Sequence, residues 1–132
     1  MKLIISLLAS LMLLAPFSVS AQTQLEKPQY VELHPAFVTN YGSGERLHYL
    51  KVEISVRVES MGDAEIVERH LPYIRNDLVL LLSQQTSEAV NSHEGRQKLR
   101  AEALAAVKNV IKTEENKDLV TDLLFNNFVV QS

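Results

Sequence analysis

Four histidines are the side chains of this 132-residue chain best suited to bind a metal or to transfer a proton. No two of them are three to five residues apart, so none forms the ligand pair that a metal-binding helix presents: His34, His48, His70 and His93. His34 and His48 could approach each other across a hairpin, but two ligands do not complete a zinc site. The chain has no cysteine, which excludes thiolate ligands and thiol nucleophiles. We therefore predict that the protein binds no metal and no cofactor.

Serine and carboxylate chemistry has equally little support. The Gly42-Ser43-Gly44 segment precedes a strand pattern, whereas a phosphate-binding loop leads into a helix and a serine hydrolase places its nucleophile between a strand and a helix. Glu65, Glu68 and Asp77 share a helical segment with two arginines, a mixture typical of solvated ion pairs. Catalysis needs converging polar groups, and none is recognisable. We predict that the protein is not an enzyme.

The clearest structural pattern is an alternation of apolar and polar residues over positions 50–58. It predicts a strand with one buried and one solvated face, in an antiparallel sheet that is covered on one side. Two shorter strand segments, residues 30–33 and 36–41, come before it and are separated by Pro35. The Gly42-Ser43-Gly44 turn should join the second segment to the long strand as a hairpin.

A helical pattern follows, with apolar residues four and three positions apart: Val67, Leu71, Ile74, Leu78 and Leu81. Asp63 is the predicted N-cap. Pro72 lies within the pattern, where it should kink the helix or divide it in two. The segment 78–82 is apolar on every side. Such a segment is either buried or exposed for a partner subunit, in which case the interface residues would be Leu78, Leu80 and Leu82.

The second half of the chain predicts one long helix and a closing strand. Ser92 is the expected N-cap of the helix, and Thr86-Ser87-Glu88 is a possible earlier helix start. The apolar stripe of the long helix consists of Leu99, Ala103, Val107, Val110 and Ile111. Residues 114–118 form a charged turn, and β-branched and aromatic residues predict a strand over 120–131. The predicted fold is α+β, in the order β-β-α-α-β, with the helices packed on one face of an antiparallel sheet.

The N-terminus predicts export from the cytoplasm. Lys2 precedes an apolar run over residues 3–15, and small residues follow Pro16. This is the pattern of a secretory signal peptide, with cleavage expected between Ala21 and Gln22. We therefore divide the chain into a signal peptide (1–21), a linker (22–29) and one periplasmic domain (30–132). The alternative is an uncleaved anchor in the inner membrane, although the apolar run is short for a membrane span.

Composition excludes several classes of partner. The net charge of −3 provides no basic surface for nucleic acid or for anionic lipid headgroups. Tryptophan is absent and aromatic residues make up only 6% of the chain, so a stacking platform for sugars or bases is poorly supplied. Composition therefore gives no indication of a nucleic-acid, lipid or sugar partner.

Four segments in order resemble the FliL family of flagellar basal-body-associated proteins. Residues 71–83 (Leu-Pro-Tyr-Ile-Arg-Asn-Asp-Leu running on to Leu82-Ser83) are similar to its first-helix motif. Residues 92–100 resemble its next helix start, residues 49–55 its signature strand and residues 125–131 its closing strand. The resemblance covers about residues 30–131, which is nearly the whole of the predicted domain.

The resemblance implies a stomatin-like (SPFH-like) domain that forms rings around the stator units of the flagellar motor and supports swimming or swarming. It implies no catalytic residue. The proline and arginine of the family motif correspond to Pro72 and Arg75, which we interpret as a helix kink and a charge that fixes the helix end. Typical members have a basic tail and an uncleaved membrane helix, whereas this chain has a signal-peptide-like leader. A periplasmic adaptor or regulator of another envelope complex is therefore the alternative function.

Overall fold

The computed structural model describes residues 27–44 and 46–131, in which an antiparallel sheet packs against helices. The leader, with Ala21 and Gln22, lies outside the described residues. None of the described helices combines the length and the hydropathy that crossing a membrane requires. The elements are β1 (Gln29–Glu32), β2 (Phe37–Tyr41), β3 (His48–Val58), α1 (Met61–Arg69), α2 (Leu71–Ser83), α3 (Ser87–Asn91), α4 (His93–Glu115) and β4 (Val120–Gln131).

The long strand β3 is the centre of the sheet. β4 pairs with it from Tyr49 to Val58, along one edge. β1 and β2 follow each other along the opposite edge, opposite residues 55–58 and 48–52 respectively. All three pairings are antiparallel, which confirms the predicted sheet, the β2–β3 hairpin and the closing strand. Gly42, in the hairpin turn, has a φ of 83°, a conformation that suits glycine.

The core lies between the sheet and the helices. The inward-facing residues of β3 are fully buried, as their alternation predicts: Leu50, Val52, Ile54, Val56 and Val58. The predicted stripe of α4 is also buried, from Leu99 to Ile111. Burying each of these side chains contributes about 1.5–3 kcal/mol. No disulfide is available to this cysteine-free chain, so packing of this kind stabilises the fold.

The structure differs from the prediction in the residue that caps α1 and in the effect of Pro72 on the start of α2. Ser60, and not Asp63, caps α1: its backbone is extended, and its Oγ accepts a hydrogen bond from the Asp63 N–H at 3.1 Å. Asp63 lies in the first turn, where its charge complements the helix dipole. The predicted division occurs at His70, so Pro72 falls in the first turn of α2. A proline needs no N–H partner there, so it begins a helix and does not kink one.

The order β-β-α-α-β is coarser than the observed one. The two strand segments around Pro35 are separate strands, and the helical region contains four helices in the described residues. Thr86 caps the short α3, as its position suggested, and Ser92 caps α4. The turn expected at 114 begins two residues later because α4 continues to Glu115 and ends at Asn116, which has a φ of 54°. Asparagine tolerates this left-handed conformation.

Candidate functional site

The histidines do not converge. His48 packs against the ring of Tyr41, with 5.4 Å between ring centres, and His34 lies 3.1 Å from Glu32. His34 and His48 therefore do not approach each other, which the sequence had left possible, because the hairpin register places Tyr41 opposite His48. His93 is exposed at the start of α4. Within residues 27–44 and 46–131, no three histidine or carboxylate side chains are grouped as metal ligands.

Arg75 joins α2 to the segment that links β1 and β2. Its Nη1 donates hydrogen bonds to the carbonyl oxygens of Leu33, at 3.1 Å, and Pro35, at 2.6 Å. Its guanidinium lies 4.1 Å from the centre of the Phe37 ring. Partial burial lowers the pKa of Arg75, and the two carbonyl oxygens compensate the charge for its lost hydration. Arg75 therefore holds α2 against the segment between β1 and β2. That its charge fixes the helix end stays a prediction.

The three leucines expected at an interface do not share a surface. Leu78 and Leu82 are fully buried, because they are four residues apart and face the core together. Leu80 is rotated from both by about 200° and is 53% exposed. The interface hypothesis is therefore corrected: of the three, only Leu80 can contact a partner in this fold. Tyr73, Asn76 and Val79 are exposed near it, and together these four residues form the outer face of α2.

A hydrogen bond between His70 and Glu115, with Arg69 beside it, closes the junction between α1 and α2. His70 Nε2 lies 2.6 Å from Glu115 Oε1, and Arg69 Nη1 lies 3.5 Å from the same oxygen. The hydrogen bond from His70 is the main cause that lowers the pKa of Glu115. The contact joins residues 45 positions apart. No local sequence pattern indicates the contact between His70 and Glu115, because each residue alone resembles an ordinary polar residue near the end of a helix.

Grooves run along the two opposite edges of the sheet. The acidic groove, about 450 Å³, lies between β1 and α1 and includes Tyr30, Glu32, Met61, Glu65 and Glu68 in its lining. The basic groove, about 510 Å³, lies between α4 and β4; its lining residues are His93, Arg96, Gln97, Arg100, Leu124, Phe125 and Phe128. A third groove at the end of α4 is lined by lysines 108, 112 and 117 among others. All of them are open surface features, suited to contact with another macromolecule.

Comparison with known proteins gives the family. Residues 30–131 match the family model described as flagellar basal body-associated protein FliL. The chain belongs to the FliL family. The match begins within β1 and ends with β4, so the FliL region and the described fold coincide.

Individual FliL relatives are distant in sequence. The chain is 26% identical over 100 residues to the flagellar protein FliL of Aquifex aeolicus (strain VF5). It is 27% identical over 95 residues to the flagellar protein FliL of Escherichia coli (strain K12). These alignments cover 76% and 72% of this chain, and 60% of each relative. The chain thus spans about three-fifths of the length of the FliL proteins it matches.

Proposed function

We propose that this protein is a non-catalytic flagellar component in the periplasm that supports the stator and the motor through contacts with other proteins and with copies of itself. The observation that supports the proposal most strongly is the FliL match over residues 30–131, which includes every described element but the first residue of β1. The stomatin-like character of the domain, and the ring that it would form, belong to the same proposal.

The placement of polar side chains favours contact over catalysis. Arg75 is engaged with two backbone carbonyls, and His70 with Glu115. Both therefore stabilise the scaffold. The outer face of α2, in contrast, presents Tyr73 at 59% exposure beside Leu80. These two residues are seven positions apart and lie on one side of the helix, the arrangement by which a helix face binds a partner.

We propose the outer face of α2 as a contact with a basal-body protein. Tyrosine is frequent at the energetic centre of interfaces because it buries a large ring and keeps a polar end. The face belongs to the segment whose Leu-Pro-Tyr-Ile-Arg motif resembles the family, yet neither Tyr73 nor Leu80 is needed for the core. A surface of this kind can be changed without unfolding the protein.

The test begins with deletion of the gene in its own bacterium, followed by measurement of swimming in soft agar and swarming on a surface. We expect both to decrease and to be restored by the wild-type gene. Complementation by Tyr73→Asp/Leu80→Asp should fail although the protein is present at a normal level and melts at the normal temperature. Leu47→Asp is the matched control, because Leu47 is 63% exposed but lies outside α2; it should restore motility.

Unchanged motility of the deletion strain, together with loss of another envelope trait, would contradict the flagellar proposal and favour the envelope adaptor. Full complementation by Tyr73→Asp/Leu80→Asp would contradict the contact on α2 alone. The two parts of the proposal are thereby tested separately.

A further inference from the structure

We propose that the outer edge of β4 binds an extended, acidic segment of a different protein, which pairs with β4 as an additional strand and occupies the basic groove. The partner segment has no proline and no basic residue, and every second side chain in it is acidic or apolar. This surface is distinct from the outer face of α2, and the proposal does not depend on the flagellar role.

β4 lies at an edge of the sheet. It pairs with β3 on one side, and no strand in the described part of the chain pairs with its other side. Residues 123–131 contain no charged residue and no proline, although these are common means by which proteins protect a strand edge from other chains. The segment has a β-bulge at Asn126, where the pairing with β3 skips one residue. The backbone on either side of the bulge therefore stays open to a further strand.

The register of the sheet shows which backbone groups of β4 point outward. The Leu33 N–H donates a hydrogen bond to the Ile54 carbonyl oxygen at 2.9 Å, so the backbone of Ile54 faces the β1 side of the sheet and not β4. This direction alternates along an antiparallel strand, and the residue of β4 opposite such a position also directs its N–H and C=O groups away from the pairing. Four residues of β4 stand opposite such positions of β3: Leu123, Phe125, Phe128 and Val130.

Leu123 shows that outward groups at this edge bind polar atoms. Its N–H donates to Asp122 Oδ1 at 2.8 Å, and its carbonyl oxygen accepts a hydrogen bond from Arg100 Nη1 at 3.3 Å. Side chains thus take the place of a neighbouring strand at this end of β4. Beyond the bulge, the outward groups of Phe128 and Val130 have no hydrogen-bond partner among residues 27–44 and 46–131. An added strand would supply those partners.

The basic groove provides positive charge beside this edge. Its described lining contains Arg96 and Arg100 and no carboxylate. Arg96 Nε donates to the Val90 carbonyl oxygen at 2.7 Å, and its guanidinium lies 4.6 Å from the centre of the Phe128 ring. Asp122, 3.1 Å from Arg100, neutralises the groove only in part. A carboxylate on the added strand would therefore find the terminal nitrogens of a positioned arginine, a strong form of charged hydrogen bond.

The same groove provides apolar contact. The rings of Phe125 and Phe128 are half-buried in its lining, and their centres are 5.3 Å apart. The groove has a volume of about 510 Å³ and is open on its outer side. Because every second side chain of a strand points to the same face, alternate residues of an added strand would enter it. This geometry gives the partner its pattern of acidic and apolar residues at alternate positions.

A different protein suits this edge better than a second copy does. Pairing of two β4 strands edge to edge would bring two basic grooves together, and like charges disfavour such a contact. The opposite edge of the sheet consists of two short strands, β1 with four residues and β2 with five. β4, with twelve residues, is the longer template for a foreign segment.

The test uses the full-length protein and a phage-displayed library of peptides as long as residues 123–131. We expect selection to enrich peptides that have acidic and aromatic or β-branched residues at alternate positions and no proline. A synthetic copy of an enriched peptide should bind more weakly as the ionic strength rises, because salt screens exposed charge pairs.

Backbone methylation of the peptide distinguishes strand addition from side-chain contact. N-methyl groups on one alternate set of peptide nitrogens should abolish binding, because those N–H groups face β4. N-methyl groups on the other set should leave binding unchanged, because those N–H groups face solvent. This comparison needs no change in the protein.

Val130→Pro tests the edge from the side of the protein. It removes an outward N–H and no hydrogen bond to β3, a position at which an edge strand accepts proline. Val130→Ala is the matched control, because it shortens the side chain and keeps the N–H. We expect Val130→Pro to weaken binding of the enriched peptide by about tenfold and Val130→Ala to change it by less than about twofold. Thermal melts of both variants establish that they are folded.

A second pair of variants tests the charge of the groove. His93→Glu/Gln97→Glu places two carboxylates among its exposed lining residues, at the start of α4, where acidic residues stabilise a helix. Lys112→Glu makes the same change in net charge outside the groove, with the histidine neutral. The first variant should weaken peptide binding by about tenfold or more, and the second should not change it.

Several results would overturn the proposal. These are a selection that enriches nothing, enriched peptides that are uncharged or basic, equal binding of the two N-methylated peptides, and equal binding by Val130→Pro and Val130→Ala. A wild type that forms dimers or larger species, which Val130→Pro abolishes, would assign the edge to a second copy and overturn the foreign partner. The motility tests of the flagellar proposal are decided independently of all these results.

Discussion

Arg75 shows how a charged side chain can stabilise a fold without an acidic partner. Its two hydrogen bonds to carbonyl oxygens and its contact with Phe37 connect α2 to the β1–β2 connection. We expect Arg75→Ala to lower the free energy of unfolding by about 2–4 kcal/mol, since hydrogen bonds from a charged donor contribute about 1.5–3 kcal/mol. Arg46→Ala, at an exposed position, should change it by less than about 0.5 kcal/mol. Urea denaturation measures both, and equal stabilities would disprove the role of Arg75.

Glu115 should make stability depend on pH in a known direction. The hydrogen bond from His70 lowers the pKa of Glu115 below its ordinary value of 4.5. The folded state therefore favours the carboxylate form of Glu115. The resulting stabilisation of the fold is present above pH 4.5, and it is lost as the pH falls through the lower pKa that Glu115 has in the folded state. The wild type should lose more stability than Glu115→Gln between neutral and strongly acidic pH. Thermal melts of both, with Glu114→Gln as the control, measure this; parallel pH profiles would contradict it.

The contact between α3 and α4 depends on the absence of a side chain at Gly95. A Cβ there would overlap the carbonyl oxygen of Ala89 and lie 2.6 Å from the Ala89 Cα. Gly95→Ala should destabilise the protein by about 1–3 kcal/mol, although alanine is the better helix former by about 1 kcal/mol. Gly62→Ala makes the same change in α1, where the nearest atom is 3.8 Å away.

For Gly62→Ala we expect unchanged or slightly increased stability. Opposite signs for the two substitutions, measured by chemical denaturation, would confirm that the backbones of α3 and α4 must approach closely. A stabilising effect at both positions would show that α3 can move aside at little cost.

Helices and strands whose hydrophobic residues recur at a regular spacing could be predicted from the sequence, whereas the junctions between them could not. The alternation in β3 and the stripe of α4 each reflect burial against one face, so the residue pattern reports the structure directly. The break between α1 and α2 was expected from Pro72, but its position at His70 follows from the helical N-terminus that proline prefers. The apolar segment 78–82 does not reveal which of its side chains face the core, because all five of its residues are hydrophobic although Val79 and Leu80 are exposed.

Surfaces at the scale of the whole molecule were the least predictable. The acidic groove unites residues of β1 with residues of α1 about 30 positions later, and the basic groove unites α4 with β4. Tyr30, Met61 and Tyr73 were the available signals: each is a large side chain that the packed fold leaves exposed. Sequence patterns predict which residues a sheet or helix buries, but which exposed residues become neighbours depends on how those elements are connected.

The proposed leader, residues 1–21, would determine how the whole protein is held in the cell. We expect N-terminal sequencing of the exported protein to begin at Gln22, since small residues precede that position as signal peptidase requires. Replacement of Ala21 by a bulky residue should leave an uncleaved, membrane-associated form that still contains Lys2. A wild-type protein that begins at Met1 would show instead that the leader is an anchor, and local concentration at the membrane would then favour assembly.

The strand order also decides when this protein can fold. β4 supplies one entire edge of β3, yet it is formed by residues 120–131, after all the helices. If the protein is exported as we propose, the apolar residues of β3 lack that partner until residues 120–131 have crossed the membrane. Folding inside the cytoplasm during synthesis is delayed for the same reason. In the exported protein that we propose, this delay would keep the polypeptide in the unfolded form that passage through a narrow channel demands.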